Sequence, residues 1–324
     1  MKKSLVDLIE NWNPDWTADK LLVQTYTSSS ILTLARGSED VHEKYNEILS
    51  HDFILGDHKD GISYFGKREE WQWNRKDVLE KEGVFYSLEL PAPKFKGMKN
   101  SKMIVIFSHF GPDSVNAGER TFQTYFKNIK AFVPPNVIIL RIMDFNRSHG
   151  SFYLNTVNYT DFEQRIQKLI LKISEENKVN VDDIILLGSS KGGTGALVHG
   201  LLGNFKFLSV DPIINDNYFV KNKNDWHFMK GARELDFSKK IREISNNFHR
   251  ENQGFIIANS NVPMTYNEIK KISDISIIKI FDTKNPLAYG THSLVGPTAK
   301  FEMISLLNIL INDDLRSFLG RENQ

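Results

Sequence analysis

The spacing of apolar positions changes character near residue 100. From there on, short apolar runs alternate with longer segments of helical periodicity, a pattern typical of a mostly parallel sheet with crossover helices. The runs predict strands over residues 103–108, 137–142, 184–187, 205–210, 255–258 and 275–281. The periodic segments predict helices over residues 121–132, 162–176 and about 298–311. An irregular stretch rich in Asn, Lys and aromatic residues, 215–234, is predicted to form a lid or insertion.

The first 97 residues lack this alternation. They predict a short helix over residues 5–12, a strand over 28–34 and a helix over 41–49. Residues 91–97 contain two prolines and end in glycine, which makes them the best linker candidate. We therefore predict a smaller N-terminal α+β accessory region over residues 1–97 and an α/β domain over residues 98–324.

Charge and composition exclude several classes of protein. The 324 residues carry 41 Lys and Arg against 40 Asp and Glu, a net charge of +1, which gives no support to a general binder of nucleic acid or anionic membrane. The absence of cysteine excludes disulfides, thiolate zinc sites and cysteine nucleophiles. No apolar run approaches the ~18 residues of a membrane span, and the amino terminus does not have the pattern of a secretory signal. We expect a cytoplasmic protein, and the sequence predicts no metal and no cofactor.

A Gly-x-Ser-x-Gly turn follows the predicted strand 184–187. Gly188, Ser190 and Gly192 occupy its fixed positions, and a helix-forming segment comes directly afterwards. The order of strand, tight turn and helix is typical of the nucleophile elbow of α/β-hydrolases, where a strained turn raises the serine hydroxyl above the sheet edge. Glycine on both sides lets strand and helix pass close together because it has no Cβ. The sequence therefore predicts Ser190 as a nucleophile in an α/β-hydrolase-like domain.

Two other interpretations of this turn stay open. Lys191 and the glycines after it resemble part of a phosphate-binding loop. However, such a loop needs Lys and then Ser or Thr after its last glycine, and Ala196 and Leu197 stand there instead. The turn is also compatible with a glycine-rich connection that has no chemical role.

A serine nucleophile needs a base and an acid, which α/β-hydrolases supply in the order Ser, Asp or Glu, His. His292 lies in a loop between the last predicted strand and the last helix, where that fold places its imidazole. The loop after residues 255–258 carries no carboxylate, so two acids remain: Asp211, directly after a strand beside the nucleophile strand, and Glu268, on a predicted helix. We prefer Asp211, whose alternative role is a structural Asp-Pro turn.

The oxyanion hole of such a site uses backbone N–H groups. The first predicted donor is the N–H of Lys191, the residue after the nucleophile. The second is the N–H of His109 or Phe110, in the loop after strand 103–108. We expect the Lys191 side chain to extend into solvent, with pairing to an anionic substrate group as the alternative.

An aromatic and basic segment in the first region is a candidate for substrate binding. Trp71 and Trp73 could stack on a sugar ring, and Arg75 could pair with a phosphate. The simpler interpretation is that both tryptophans pack this region against the core. The segment 218–230 has a similar composition and is expected to form a wall beside the nucleophile.

The combination of these segments resembles capsular polysaccharide biosynthesis proteins of the XcbB/CpsF type. The residues that carry the resemblance lie in 60–67, 141–144, 150–156, 188–197 and 209–213. The resemblance implies a role in bacterial capsule assembly in the cytosol and leaves the reaction open. It makes other capsule-assembly enzymes candidate partners.

The leading hypothesis is a serine-dependent acyl hydrolase or O-acyltransferase that acts on a carbohydrate in capsule biosynthesis. Ser190 would attack an acyl carbonyl, His292 would move the proton, and Asp211 would orient His292. The alternative is a catalytically degenerate fold that binds capsule polymer or a capsule-assembly partner. A glycosyl or phosphoryl transferase is disfavoured because the sequence contains neither a phosphate loop nor a metal-carboxylate cluster.

Overall fold

The computed structural model describes residues 2–95, 101–249 and 254–312. The last two residues of the predicted linker, 96 and 97, lie outside these ranges. The chain begins with a four-stranded sheet of order β1-β2-β4-β3, in which β1 and β2 are parallel and the other pairs antiparallel. Its strands are β1 (Lys3–Asp7), β2 (Lys20–Gln24), β3 (Phe53–Lys59) and β4 (Ile62–Lys67). Two helices connect β2 to β3: α1 (Ile31–Ala35) and α2 (Glu39–Ser50).

Two predictions for this region are wrong. Residues 5–12 do not form a helix, because Ser4, Val6 and Leu8 alternate as buried positions and place β1 on the small sheet with period two. Residues 28–34 do not form a strand, because the Ser30 side chain accepts a hydrogen bond from the backbone N–H of Thr33 and caps the start of α1. The helix predicted over residues 41–49 is confirmed as α2.

The main sheet has eight strands in the order β12-β11-β10-β9-β7-β8-β6-β5. All neighbours from β12 to β8 are parallel, and the β8–β6 and β6–β5 pairs are antiparallel. Its strands are β5 (Leu79–Lys81), β6 (Val84–Glu89), β7 (Met103–Phe107), β8 (Ile138–Ile142), β9 (Ile184–Ser189), β10 (Lys206–Val210), β11 (Gly254–Ala258) and β12 (Ile278–Asp282). Because β5 and β6 precede residue 97, the main sheet extends across the predicted domain boundary.

The remaining helices cover the two faces of the main sheet or lie in its connections. They are α3 (Ala117–Thr121), α4 (Phe162–Glu176), α5 (Lys191–Gly203), α6 (Asn217–Asn222), α7 (Ser238–Ser245), α8 (Pro263–Lys270), α9 (Val295–Thr298) and α10 (Lys300–Ile311). The predicted helices 162–176 and 298–311 correspond to α4 and to the α9–α10 pair. In the described ranges no single helix is long and apolar enough to cross a membrane. The segments His292–Thr298 and Lys300–Ile311, bent by 62°, pass that test only as a pair.

The helix predicted over residues 121–132 is wrong. Helical structure ends at Thr121, and a short 3-10 turn returns only at Ile129–Ala131. Phe126 adopts a left-handed backbone with φ 50°, and its carbonyl oxygen accepts a hydrogen bond from the Arg141 guanidinium over 3.3 Å. A residue with positive φ interrupts a right-handed helix, so this stretch becomes a loop above the sheet edge.

The apolar core lies on both faces of the main sheet. Along β7, Met103, Val105 and Phe107 belong to one buried cluster, while Ile104 and Ile106 belong to the other. The first cluster includes side chains of α4 and α5, and the second includes side chains of α10. A mostly parallel sheet between helices, with a Gly-x-Ser-x-Gly turn from β9 into α5, confirms the predicted α/β-hydrolase-like fold.

Candidate active site

The turn between β9 and α5 holds Ser190 in a strained conformation. Its φ of 55° and ψ of −120° lie where side chains other than glycine are rarely found. A Cβ atom on Gly188 would lie 2.0 Å from the carbonyl oxygen of Gly192, and one on Gly192 would lie 2.2 Å from that of Phe107. Both flanking positions therefore require glycine. The backbone N–H of Ser190 donates to the carbonyl oxygen of Val210 over 2.9 Å, which ties the turn to the end of β10.

Ser190, His292 and Asp211 form a chain of short contacts. Ser190 Oγ lies 2.7 Å from Nε2 of His292, and Nδ1 of His292 lies 2.6 Å from Oδ2 of Asp211. Asp211 follows β10 directly with φ 44° and is buried, and its backbone N–H donates to Ile257 over 2.7 Å. His292 begins a 3-10 turn after β12 and is partly exposed. An imidazole that donates Nδ1–H to a carboxylate keeps Nε2 free to accept a serine proton.

The other candidate acid lies in a different environment. Glu268 accepts a hydrogen bond from the Asn215 amide over 3.0 Å and pairs with Lys271 at 2.6 Å. Lys271 caps the end of α8, and Asn215 lies in the segment that follows β10. The carboxylate in contact with His292 is that of Asp211.

The loop after β7 lies beside the same turn. Two hydrogen bonds of Ser108 hold this loop: its N–H donates to the Tyr153 hydroxyl and its Oγ donates to the Gln123 carbonyl, both over 2.6 Å. No hydrogen bond within the described residues uses the backbone N–H of His109 or Phe110. Lys191 is the first residue of α5, so its own N–H has no acceptor inside the helix. The backbone N–H groups of Lys191, His109 and Phe110 are thus without a hydrogen-bond partner among the described residues.

The prediction for the Lys191 side chain is wrong. The side chain is fully buried, its Nζ donates to the carbonyl oxygen of His149 over 2.7 Å, and it lies 3.2 Å from Oδ2 of Asp144. Burial lowers the pKa of Lys191, and the neighbouring Asp144 opposes that change. A single sequence does not mark such a pairing because the two residues are 47 positions apart. The only local signal is an acid two residues after the predicted strand 137–142.

Ser190 and His292 open into a cavity of about 630 Å³. Its walls come from the loop after β7, the loop after α3, the irregular segment after β10, and the stretch from His292 to the start of α10. The apolar lining residues are Phe110, Tyr125, Phe126, Ile213, Phe219, Trp226, Pro297 and Met303. The polar ones are His109, Asn128, Ser189, Ser190, His227, His292, Ser293 and Lys300. The predicted irregular segment 215–234 thus supplies part of the wall and also contains the short helix α6.

One polar group in this wall was not anticipated from the sequence. His227 is buried in the cavity wall, and its Nδ1 lies 2.6 Å from Oδ1 of Asp216. Asp216 is also buried and accepts a hydrogen bond from Arg233 over 3.0 Å. The pKa of Asp216 is lowered because the pull of His227 and Arg233 outweighs the effect of its burial. In the described part of the chain, no group of three or more His, Asp or Glu residues is arranged to hold a metal ion.

The predicted sugar-binding residues lie elsewhere. The rings of Trp71 and Trp73 pack on Phe145, with centroid distances of 5.3 and 5.2 Å. Arg75 pairs with Asp77 at 2.6 Å. The structure does not bring Trp71, Trp73 or Arg75 to the cavity of Ser190. The two tryptophans therefore have the packing role of the simpler interpretation. Their rings complete a small apolar cluster between the two sheets.

Comparison with known proteins gives distant likenesses. No protein-family model and no curated protein sequence matches the chain. Among solved structures, it is similar to the capsule O-acetyltransferase of Neisseria meningitidis serogroup A, with 18% identity, 79% of this chain and 96% of that chain covered, and a TM-score of 0.48. It is also similar to the fluorophosphonate-binding serine hydrolase F of Staphylococcus aureus, with 13% identity, coverage of 72% and 96%, and a TM-score of 0.43. Likeness at this distance leaves function to be inferred from the residues of the site.

Proposed function

We propose that this protein is a serine-dependent acyl hydrolase or O-acyltransferase. One observation carries the proposal: Ser190 Oγ lies 2.7 Å from His292 Nε2, whose ring is held 2.6 Å from Asp211. Nucleophile, base and orienting acid within hydrogen-bond reach are the requirements of nucleophilic acyl transfer. The left-handed turn at Ser190 adds support, since it presents the hydroxyl to the cavity.

In the first step Ser190 Oγ bonds to the carbonyl carbon of an ester. His292 Nε2 takes the hydroxyl proton, and the electron pair of the carbonyl moves to its oxygen. The N–H of Lys191, with that of His109 or Phe110, is the proposed donor pair for this oxyanion. When the tetrahedral intermediate collapses, His292 returns the proton to the leaving alkoxide, and an acyl-enzyme on Ser190 remains. Asp211 stabilises the imidazolium formed in between.

In the second step His292 takes the proton of the attacking hydroxyl, whose oxygen bonds to the acyl carbon. The second tetrahedral intermediate then collapses, the bond from that carbon to Ser190 Oγ breaks, and His292 returns the proton to Oγ. Water gives hydrolysis, and a sugar hydroxyl gives O-acyl transfer. We propose a carbohydrate as the acceptor or as the alcohol part of the ester, in capsular polysaccharide biosynthesis. This part of the proposal is supported by the resemblance of the segments around Ser190 and Asp211 to capsule biosynthesis proteins.

Labelling by a fluorophosphonate tests the proposed nucleophile. The wild-type protein is expected to react with the probe, and Ser190→Ala is expected to abolish the reaction. Ser273→Ala is the matched control because Ser273 is exposed and does not line the cavity. Equal labelling of Ser190→Ala would overturn the assignment of Ser190. No labelling of the wild-type protein would favour the alternative of a degenerate fold that binds polymer or a partner.

A further inference from the structure

The cavity next to Ser190 is much larger than the acyl group that an acetyl ester would place there. Its volume of about 630 Å³ lies within the range of about 300–1,000 Å³ that accommodates drug-sized ligands. An acetyl group adds only one methyl to the reacting carbonyl and would leave most of this space filled by water. The volume therefore bears on which ester the site accepts.

The chemistry of the walls points to an apolar occupant. Tyr125 and Phe126 come from the loop after α3, Phe219 and Trp226 from the segment after β10, and Met303 from α10. These side chains converge from three separate parts of the chain on one space. An apolar ligand that displaces water from aromatic and thioether groups lowers the free energy of the complex.

The wall of the cavity that Trp226 supplies is held in place by Arg36. The guanidinium of Arg36 lies 3.8 Å from the centroid of the Trp226 ring and also forms an ion pair with Asp113 at 2.6 Å. Trp226 is 41% exposed, so its ring has a free face as well as a supported one. A large aromatic side chain held by a cation is a preorganised wall, which loses little freedom when a ligand binds.

We propose that the cavity selects esters whose acyl group is apolar and larger than acetyl, of butanoyl to octanoyl size. The inference rests on the proposed function, because it places the reacting carbonyl at Ser190 and the acyl chain against Trp226 and Met303. The alcohol part of the ester leaves towards solvent on the side of His292, which is partly exposed.

Hydrolysis of 4-nitrophenyl acetate, butanoate and octanoate tests the selection, with Ser190→Ala as the blank. We expect kcat/KM to rise by about fourfold for each methylene that becomes buried. Trp226→Ala should lower the ratio of octanoate to acetate kcat/KM severalfold. Phe301→Ala is the control, since Phe301 is 82% exposed and does not line the cavity, and it should leave the ratio unchanged. A highest kcat/KM for acetate, with turnover that depends on Ser190, would overturn this inference and leave the proposed function intact.

Binding separates the two proposals if the enzyme turns over none of these esters. In Ser190→Ala, calorimetry should show methyl octanoate binding at least tenfold tighter than methyl acetate, and Trp226→Ala should reduce that difference. Equal affinities would overturn the inference. Tight octanoate binding without any Ser190-dependent labelling or turnover would instead refute the acyl-transfer function and retain the apolar site.

Discussion

Lys191 Nζ and Asp144 Oδ2 lie 3.2 Å apart with both side chains fully buried. Lys191 is the residue after Ser190, and Asp144 lies two residues after β8, which β7 separates from β9 in the main sheet. The Asp144 carboxylate also accepts the backbone N–H groups of Ser151 and Phe152, each over 2.9 Å. The pair thus fastens the first turn of α5 to the loop that follows β8.

Removal of one partner of this pair should destabilise the fold strongly. Lys191→Met leaves Asp144 buried without its cation, and breaking a buried ion pair in this way costs about 3–5 kcal/mol. We expect a loss of that size in the free energy of unfolding, measured by urea denaturation. Lys239→Met is the control, because Lys239 and Glu243 form an exposed pair and should change stability little.

A double-mutant cycle separates the pair from other contacts. Lys191→Met combined with Asp144→Asn should cost less than the sum of the two single losses, because neither uncompensated charge remains. Strict additivity would show that the two side chains do not stabilise each other.

Substitution of the acid should affect turnover through the orientation of His292. Asp211→Asn is expected to lower kcat/KM for an activated ester by about 10³–10⁴-fold, since an amide N–H that donates to Nδ1 holds His292 in the wrong tautomer. Glu268→Gln should remain close to wild type because Glu268 contacts Asn215 and Lys271 instead. Circular dichroism checks that both variants are folded. A larger loss in Glu268→Gln would refute the assignment of Asp211.

The buried pair behind His227 predicts a second stability effect. Asp216→Asn removes the carboxylate charge that compensates buried Arg233, with an expected loss of about 3 kcal/mol in the free energy of unfolding. Asp274→Asn is the control, because Asp274 pairs with Arg242 on an exposed surface. Comparable denaturation midpoints for the two variants would mean that burial does not strengthen the pair of Asp216 and Arg233.

Acid should destabilise the protein partly through His149. Burial lowers the pKa of His149 to about 3, whereas an unfolded histidine titrates near 6.5. Between these values the unfolded chain binds one proton more, so the free energy of unfolding falls as pH decreases from about 6.5 towards 3. At pH 5 this group alone accounts for a loss of about 2 kcal/mol relative to pH 7.

Urea denaturation at pH 7 and pH 5 measures this effect. His149→Gln should show a smaller drop in the free energy of unfolding between the two pH values than the wild-type protein. His249→Gln is the control because His249 is exposed, and it should retain the full drop. An unchanged drop in His149→Gln would mean that other groups account for the acid sensitivity.

The local apolar pattern was sufficient to predict the strands of the main sheet that lie after residue 100. Runs such as residues 103–107 and 184–187 are apolar throughout because parallel strands are covered on both faces. The position of Ser190 after such a run likewise follows from the order of strand, turn and glycine. The predictions failed where two local rules competed. Ser30 caps the start of α1, which replaces the strand predicted over residues 28–34. The period-two alternation around Val6 outweighed the helical spacing of residues 5–12.

The sequence by itself determined the fold class, the six apolar strands of the main sheet and the turn that carries Ser190, because each depends on residues within a few positions of one another. Only the tertiary structure decided the partners of those residues. In the folded chain Lys191 is buried beside Asp144, His227 contacts Asp216, and Trp71 and Trp73 lie away from the cavity. Such contacts join residues that are distant in the chain, and burial and pairing arise only after the sheet has assembled. The physical reason is that a buried charge is stable only beside a partner, and the assembled fold, rather than the local sequence pattern, brings that partner within reach.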